Sequence, residues 1–321
     1  MSLRTSIAAL LVILAAPNAA FAQAWPTRQP IRLVSPFAPG AAPETIGRPV
    51  FEHVSKQLGQ AIVWESRAGA GGTIGAQSVA KAEPDGYTLL VNTSAHTVAP
   101  AIYATLRYDV VKDLIAIAPL GELPAALIVP TARHKSLADM VAMGKAKPGS
   151  LTFGSAGVGS GSHLIAEKFR VSAGLEAAHV PFKGAPDMVR EIIGDRIDFA
   201  FANLGSSLPM IEANEVRALA VSGIRRAVAR PDLPTTVEAG FANSDSSFWV
   251  GAFAPAGTAP AIVERLHQAI IAAVSDPAMK ATFAKLGAEP MMQSPAQFDA
   301  LIRAEVESNA ALVKAAGIKV N

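Results

Sequence analysis

The residues best suited to chemistry gather in two loops. Residues 154–163 read GSAGVGSGSH and place Ser155, Gly157, Ser160, Ser162 and His163 within ten positions. Hydroxyls, backbone N–H groups and an imidazole at this density suit two tasks. The loop could cradle an anion on its donors, or it could present Ser160 or Ser162 as a nucleophile activated by a histidine. The spacing favours the cradle. A nucleophile elbow needs G-x-S-x-G, and Val158 stands two residues before Ser160. Nothing in the sequence places an acidic third member or an oxyanion hole.

The other loop lies in residues 31–48, IRLVSPFAPGAAPETIGR. An apolar run of strand type at 31–34 passes through Pro36, Pro39 and Gly40 into helical spacing at Ile46, Val50 and Val54. A strand that feeds a helix in this way aims unpaired N–H groups and the positive end of the helix dipole at whatever lies before them. A carboxylate is the simplest partner. Other polar segments are weaker. Residues 69–75, GAGGTIG, fail the dinucleotide fingerprint because the sixth position from Gly69 is Ile74, and they read as a tight turn that lets a helix pack closely. Thr93 and Ser94 follow a strand run, where hydroxyls either face a cleft or cap a helix. Asn203 sits just past another strand run, and Trp249 near a proposed domain crossing serves either the core or the cleft wall. Lys183, in a turn, is either a surface charge or a contact for an acidic ligand. The six histidines show neither H-x-x-x-H nor H-E-x-x-H spacing, so neither a metal nor a cofactor is expected.

The elements that must position these loops alternate. Strand runs at 31–34, 61–65, 88–92 and 115–120 are separated at first by helical patterns at 45–58 and 73–81. A second series has strands near 127–129, 151–154, 178–181, 198–201 and 217–221, with helices at 137–147, 163–173 and 186–193. A strand at 248–254 follows. The tail is helical at 260–274, 277–286 and 295–316, broken by a short strand at 289–292. This alternation predicts βα units on largely parallel sheets, in two domains. The expected division is 23–124 plus 248–321 for one and 125–247 for the other, with crossings near 123–126 and 246–251.

Residues 1–22 read as a secretory signal peptide, with Arg4 before an apolar segment at 7–16 and an A-x-A site at Ala20-Phe21-Ala22. No later stretch is long and apolar enough to span a bilayer, so an exported, soluble protein is expected. There is no cysteine, which excludes thiol chemistry and leaves stability to the core. The formal charge is +2, from 28 basic and 26 acidic side chains, without a dense basic run, so nucleic acid is not an expected partner.

Taken in order, PFAPG at 36–40, RAGAGGTIGA at 67–76, PDGYTLL at 84–90, LTFGSAGVGSGSH at 151–163, HVPFKGA at 179–185, PTTVEAG at 234–240 and FWVGAFAPAGTAP at 248–260 resemble the solute-binding receptors of tripartite tricarboxylate transporters, also called the Bug family. The resemblance covers nearly the whole chain past the signal peptide. It implies a periplasmic, monomeric receptor without enzymatic activity. Its α/β fold would be the two-domain, type II periplasmic-binding-protein fold, with a Venus-flytrap cleft that closes on a small carboxylate for delivery to membrane permease subunits. Carried over by position, it points to Phe37, Ala38, Pro39, Gly40 and Ala41 in one loop and to Ser155, Gly157, Ser160, Ser162 and His163 in the other. Thr93, Ser94 and Asn203 complete the candidate set.

The chain also departs from that pattern. Ala41 and Glu44 stand where the family usually has a second Gly and an Asp, Pro43 stiffens the loop, and Ala202 replaces a frequent Asp before Asn203. Without a carboxylate at 202 an ammonium would lack its counter-ion, so the expected solute is a non-amino mono- or dicarboxylate, aromatic acids included. Two other classes fit less of the sequence: a sensor presenting its closed form to a signalling partner, and an exported serine hydrolase.

Overall fold

The computed structural model describes residues 25–318, so residues 1–22, expected to be a signal peptide, lie outside the described residues. The chain opens with β1 (Ile31–Ser35), α1 (Ala42–Leu58), β2 (Ile62–Ser66), α2 (Thr73–Ala80), β3 (Thr88–Thr93), α3 (Ala95–Ile102) and β4 (Leu114–Leu123). It crosses to β5 (Ala125–Pro130), α4 (Leu137–Ala146), β6 (Leu151–Ser155), α5 (Gly161–Ala173), β7 (Ala177–Pro181), α6 (Ala185–Ile193), β8 (Phe199–Asn203), α7 (Leu204–Glu212) and β9 (Val216–Val221). It returns as β10 (Phe248–Pro255) and ends with α8 (Pro260–Ser275), α9 (Pro277–Lys285), β11 (Glu289–Pro290) and α10 (Pro295–Ala315).

Two sheets result. The six-stranded one has the order β11-β4-β10-β3-β1-β2, the five-stranded one β7-β6-β8-β5-β9. Alternation along β1 shows how each face is filled. Ile31 and Leu33 join Ile46, Val50 and Phe51 of α1, while Val34 points the other way, to Val79 of α2 and to Phe298 and Ile302 of α10. The second sheet is likewise covered twice, by Phe169 of α5 on one face and by Met188 and Ile192 of α6 on the other.

The sheets are mixed, not largely parallel as the alternation suggested. β1 is parallel to β2 and β3, but β10 is antiparallel to both β3 and β4; β6 is parallel to β7 and β8, whereas β5 is antiparallel to β8 and β9. The cause is connectivity. β4 runs through Pro124 into β5 and so into the other sheet, and β10 brings the chain back between β3 and β4. Strands buried on both faces read as plain apolar runs whatever their direction. Two helices are also absent from the sequence reading, α3 and α7. Each starts within two residues of the preceding strand and contains a proline, Pro100 or Pro209, which reads as a break in a helical pattern.

The crossings are laced together. Ser222 N–H donates to the Ala125 carbonyl, Ser246 N–H to that of Ser222, and Glu122 accepts from Ser247 Oγ at 2.9 Å and pairs with Arg225 at 2.8 Å.

Candidate functional site

A cavity of about 360 Å³ opens between the loops of the two sheets. The first sheet contributes Phe37, Ala41, Ala42 and Pro43 from the β1–α1 loop, Gly71, and Thr93 at the end of β3. The second contributes residues 156–161. Val98, Ala99, Ile102 and Tyr103, in or just after α3, and Phe248 at the start of β10 complete the wall. Both loops lie at the carboxyl ends of parallel strands, where open α/β sheets hold ligands.

The β1–α1 loop is poor in donors. Pro36, Pro39 and Pro43 have no N–H. Ala41 N–H bonds the Ala38 carbonyl, and Gly40, at φ +80°, turns its N–H toward Glu44 Oε2 at 3.5 Å. Glu44 sits buried in the first turn of α1, with Oε1 taking Ser66 Oγ–H at 2.8 Å and Oε2 taking Arg48 at 3.1 Å. Burial pushes its carboxyl up, but the bonds from Ser66 and Arg48 outweigh that and hold it below the ordinary value. The positive end of α1 is therefore partly met by the chain's own carboxylate. Gly75 of α2 has no room for a side chain, since a Cβ would stand 2.7 Å from Pro36 Cα. The Gly-rich 69–75 segment thus serves close packing beneath the loop.

The β6–α5 loop spends its donors internally. Ser162 Oγ accepts Ala156 N–H at 2.9 Å, Ser155 Oγ accepts Gly157 N–H at 3.1 Å, His163 Nδ1 accepts Gly159 N–H at 3.1 Å, and the Gly157 carbonyl accepts Ser160 N–H. Ser160 caps α5 by accepting His163 N–H at 3.3 Å, which is why the helix starts there. Because His163 Nδ1 is an acceptor, its proton lies on Nε2, which faces Glu167 Oε1 at 3.7 Å. The ring stacks on His179 with centroids 3.9 Å apart, and Phe153 lies 4.9 Å from His179 and 6.3 Å from His163. His179 Nε2 meets Ser155 Oγ at 2.6 Å. Burial, then the neighbouring His163, push the His179 imidazole down to about 4. Glu167 is pushed up by burial but held below the ordinary value by His163 and by Arg170 at 2.7 Å.

Of the residues singled out in the sequence, the structure brings Phe37, Ala41, Thr93, Gly157 and Ser160 together on this cavity. Ala38, Pro39 and Gly40 form the exposed crest of the first loop. Ser155, Ser162 and His163 lie behind the second loop and hold its shape. Ser94 lines a neighbouring cavity. Asn203 caps α7, its Oδ1 taking Ser206 N–H at 3.0 Å. Trp249 is core, wholly buried, and donates from Nε1 to Glu305 at 3.1 Å. Adjacent residues of a strand face opposite sides, so the aromatic ring on the cleft is that of Phe248. The cavity residues of α3 were out of reach of the sequence because that helix was. Lys183 is exposed in its turn. Ser155, the serine next to an imidazole, is fully buried, and Ser160 Oγ meets Ser162 Oγ and a backbone N–H. Among the described residues no group of three His, Asp or Glu side chains is placed to hold a metal ion.

Residues 46–318 match the model of the tripartite tricarboxylate transporter family receptor. A UPF0065 protein of Agrobacterium vitis, from the TAR-I ttuE-ttuC' intergenic region, is 36% identical, covering 97% of this chain and 91% of its own. The solved structure of the periplasmic binding protein BugD superposes with a TM-score of 0.74 at 28% identity, covering 92% of this chain and 99% of its own. The R. palustris protein Rpa4515, solved with adipate, gives a TM-score of 0.77 at 31% identity, covering 92% of this chain and 100% of its own.

Proposed function

Because the chain belongs to the tripartite tricarboxylate transporter receptor family, we propose that it captures a small, non-amino mono- or dicarboxylate in the periplasm and delivers it to membrane permease subunits. The fold is the two-domain α/β fold of periplasmic binding proteins. In this reading the domains, 23–124 plus 248–321 and 125–247, rotate about the two crossings and close on the solute. The closed form is populated because one anion is shared by loops of both domains.

The observation that carries the proposal is the cavity's make-up. Both domains line it, and its lining has no charged side chain, so an anion would be held by helix N-termini, hydroxyls and water. With no carboxylate there either, an ammonium group would go unpaired. The adipate held by Rpa4515 supports a carboxylate as the solute class.

A thermal-shift panel of carboxylates against the purified protein tests this. One acid class should raise the melting temperature by the increment expected of binding to the native state alone, RT ln(1 + [L]/Kd). Glutamate or aspartate giving the largest shift would refute the non-amino assignment, and a flat panel would refute the carboxylate.

A further inference from the structure

We propose that the solute carries a single carboxylate on an apolar body, a narrower class than the mono- or dicarboxylate reading on which this rests. Two independent features of the cavity converge on it. One is the wall. Val98, Ile102 and Tyr103 from the α3 segment face the cavity together with Val158 and Phe248, giving it a continuous apolar side. That side has no cation within the lining to meet a second anionic group.

The other feature is the scarcity of donors. Three positions of the first loop are prolines, and the N–H groups of Gly40 and Ala41 are turned to Glu44 and to Ala38. In the second loop the N–H groups of Ala156, Gly157, Gly159 and Ser160 are engaged within the loop, which leaves those of Val158 and Gly161, at the start of α5, for one anionic group. The side-chain polar groups left on the lining are Thr93, Tyr103 and Ser160. With the first turn of α5 beside Ser160, these suffice for one carboxylate. A second carboxylate at the far end of the solute would lose its hydration against Val98, Ile102 and Phe248 without gaining a partner. An apolar body in the same place gains by leaving water. The chain thus departs from the dicarboxylate held by Rpa4515.

Calorimetry with matched acids tests the inference: hexanoate against adipate, and benzoate against terephthalate. The monoacid of a pair that binds should be tighter by about tenfold or more. Equal or tighter binding of the diacids would overturn the inference and leave the carboxylate receptor standing. No binding by any acid would overturn both. The variant Val158→Lys adds a cation to the wall at a side chain 61% exposed, where the core is not disturbed. It should bring the diacid to at least parity with its monoacid. An unchanged preference in this variant would overturn the placement of the solute's body against the wall.

Discussion

At the scale of single residues, the second loop rests on two stacked imidazoles. His163 uses an unprotonated Nδ1 to hold Gly159, and the ring of His179 lies 3.9 Å away in a stack that two charges would push apart. The His179 pKa is about 4 in the folded protein against an ordinary 6.5. Between those values the unfolded chain takes up a proton that the native state refuses. This contribution is therefore complete above pH 6.5 and is lost as pH falls toward 4. Allowing for partial exposure, about 2 kcal/mol is at stake. The variant His179→Gln should lose less melting temperature than the wild type between pH 7 and pH 4.5, by several degrees. Equal losses would show that the stack is not the titrating element. Glu305 behaves with the opposite sign. Burial raises its carboxyl to about 7, with bonds from Trp249 and Thr97 offsetting part of the shift. The native state then holds a proton that the unfolded chain has released, so stability falls as pH rises from 4.5 to 7. Glu305→Gln should melt a few degrees above the wild type at pH 8 and with it at pH 4, read by calorimetric scans. None of this was legible beforehand. The sequence marks His163 and the serines as polar and clustered, but not which N–H each one consumes. Glu44 likewise read as a family substitution, although it sits at the helix end the solute was expected to use.

At the scale of elements, the loops were legible and one helix was not. Proline and glycine at 36, 39 and 40, and glycine and serine through 154–162, carry backbone information that survives without a structure. α3 does not announce itself, because Pro100 interrupts its eight residues and no loop separates it from β3. Its cost to the reading was large, since α3 supplies much of the cavity's apolar wall. The start of α5 is the element boundary most exposed to test. Ser160 caps the helix through His163 N–H and also lines the cavity, within 3.1 Å of Ser162 Oγ. Ser160→Ala should cost about 1 kcal/mol of stability, the usual loss of a cap. It should also weaken solute binding by more than Ser206→Ala, a control on α7 away from the cavity. Chemical denaturation gives the first number and calorimetry the second. A variant that loses stability but binds normally would confine Ser160 to capping.

For the whole molecule, the question is how the domains meet outside the cleft. Besides the Glu122–Arg225 pair and the bond from Val228 N–H to Glu289, two contacts without charge contribute. Val98 of α3, Leu164 of α5 and Leu312 of α10 form a small apolar cluster between the sheets. Elsewhere, beside Pro124, Gly205 of α7 lies against Gly287 in the turn before β11. There backbone meets backbone, and a Cβ on Gly205 would stand 2.1 Å from Gly287 Cα, closer than any real contact. Because both neighbours are main chain, no side-chain rotation relieves the overlap. The domains themselves must shift. Each core stays intact, since the contact lies outside the main clusters of either sheet. Gly205→Ala is therefore expected to leave the circular dichroism spectrum unchanged while altering the solution scattering profile. Solute affinity should fall by about tenfold or more, because a cavity lined from both domains depends on their relative orientation. Wild-type scattering together with wild-type affinity would mean that the glycine contact yields locally and does not set the angle between the domains.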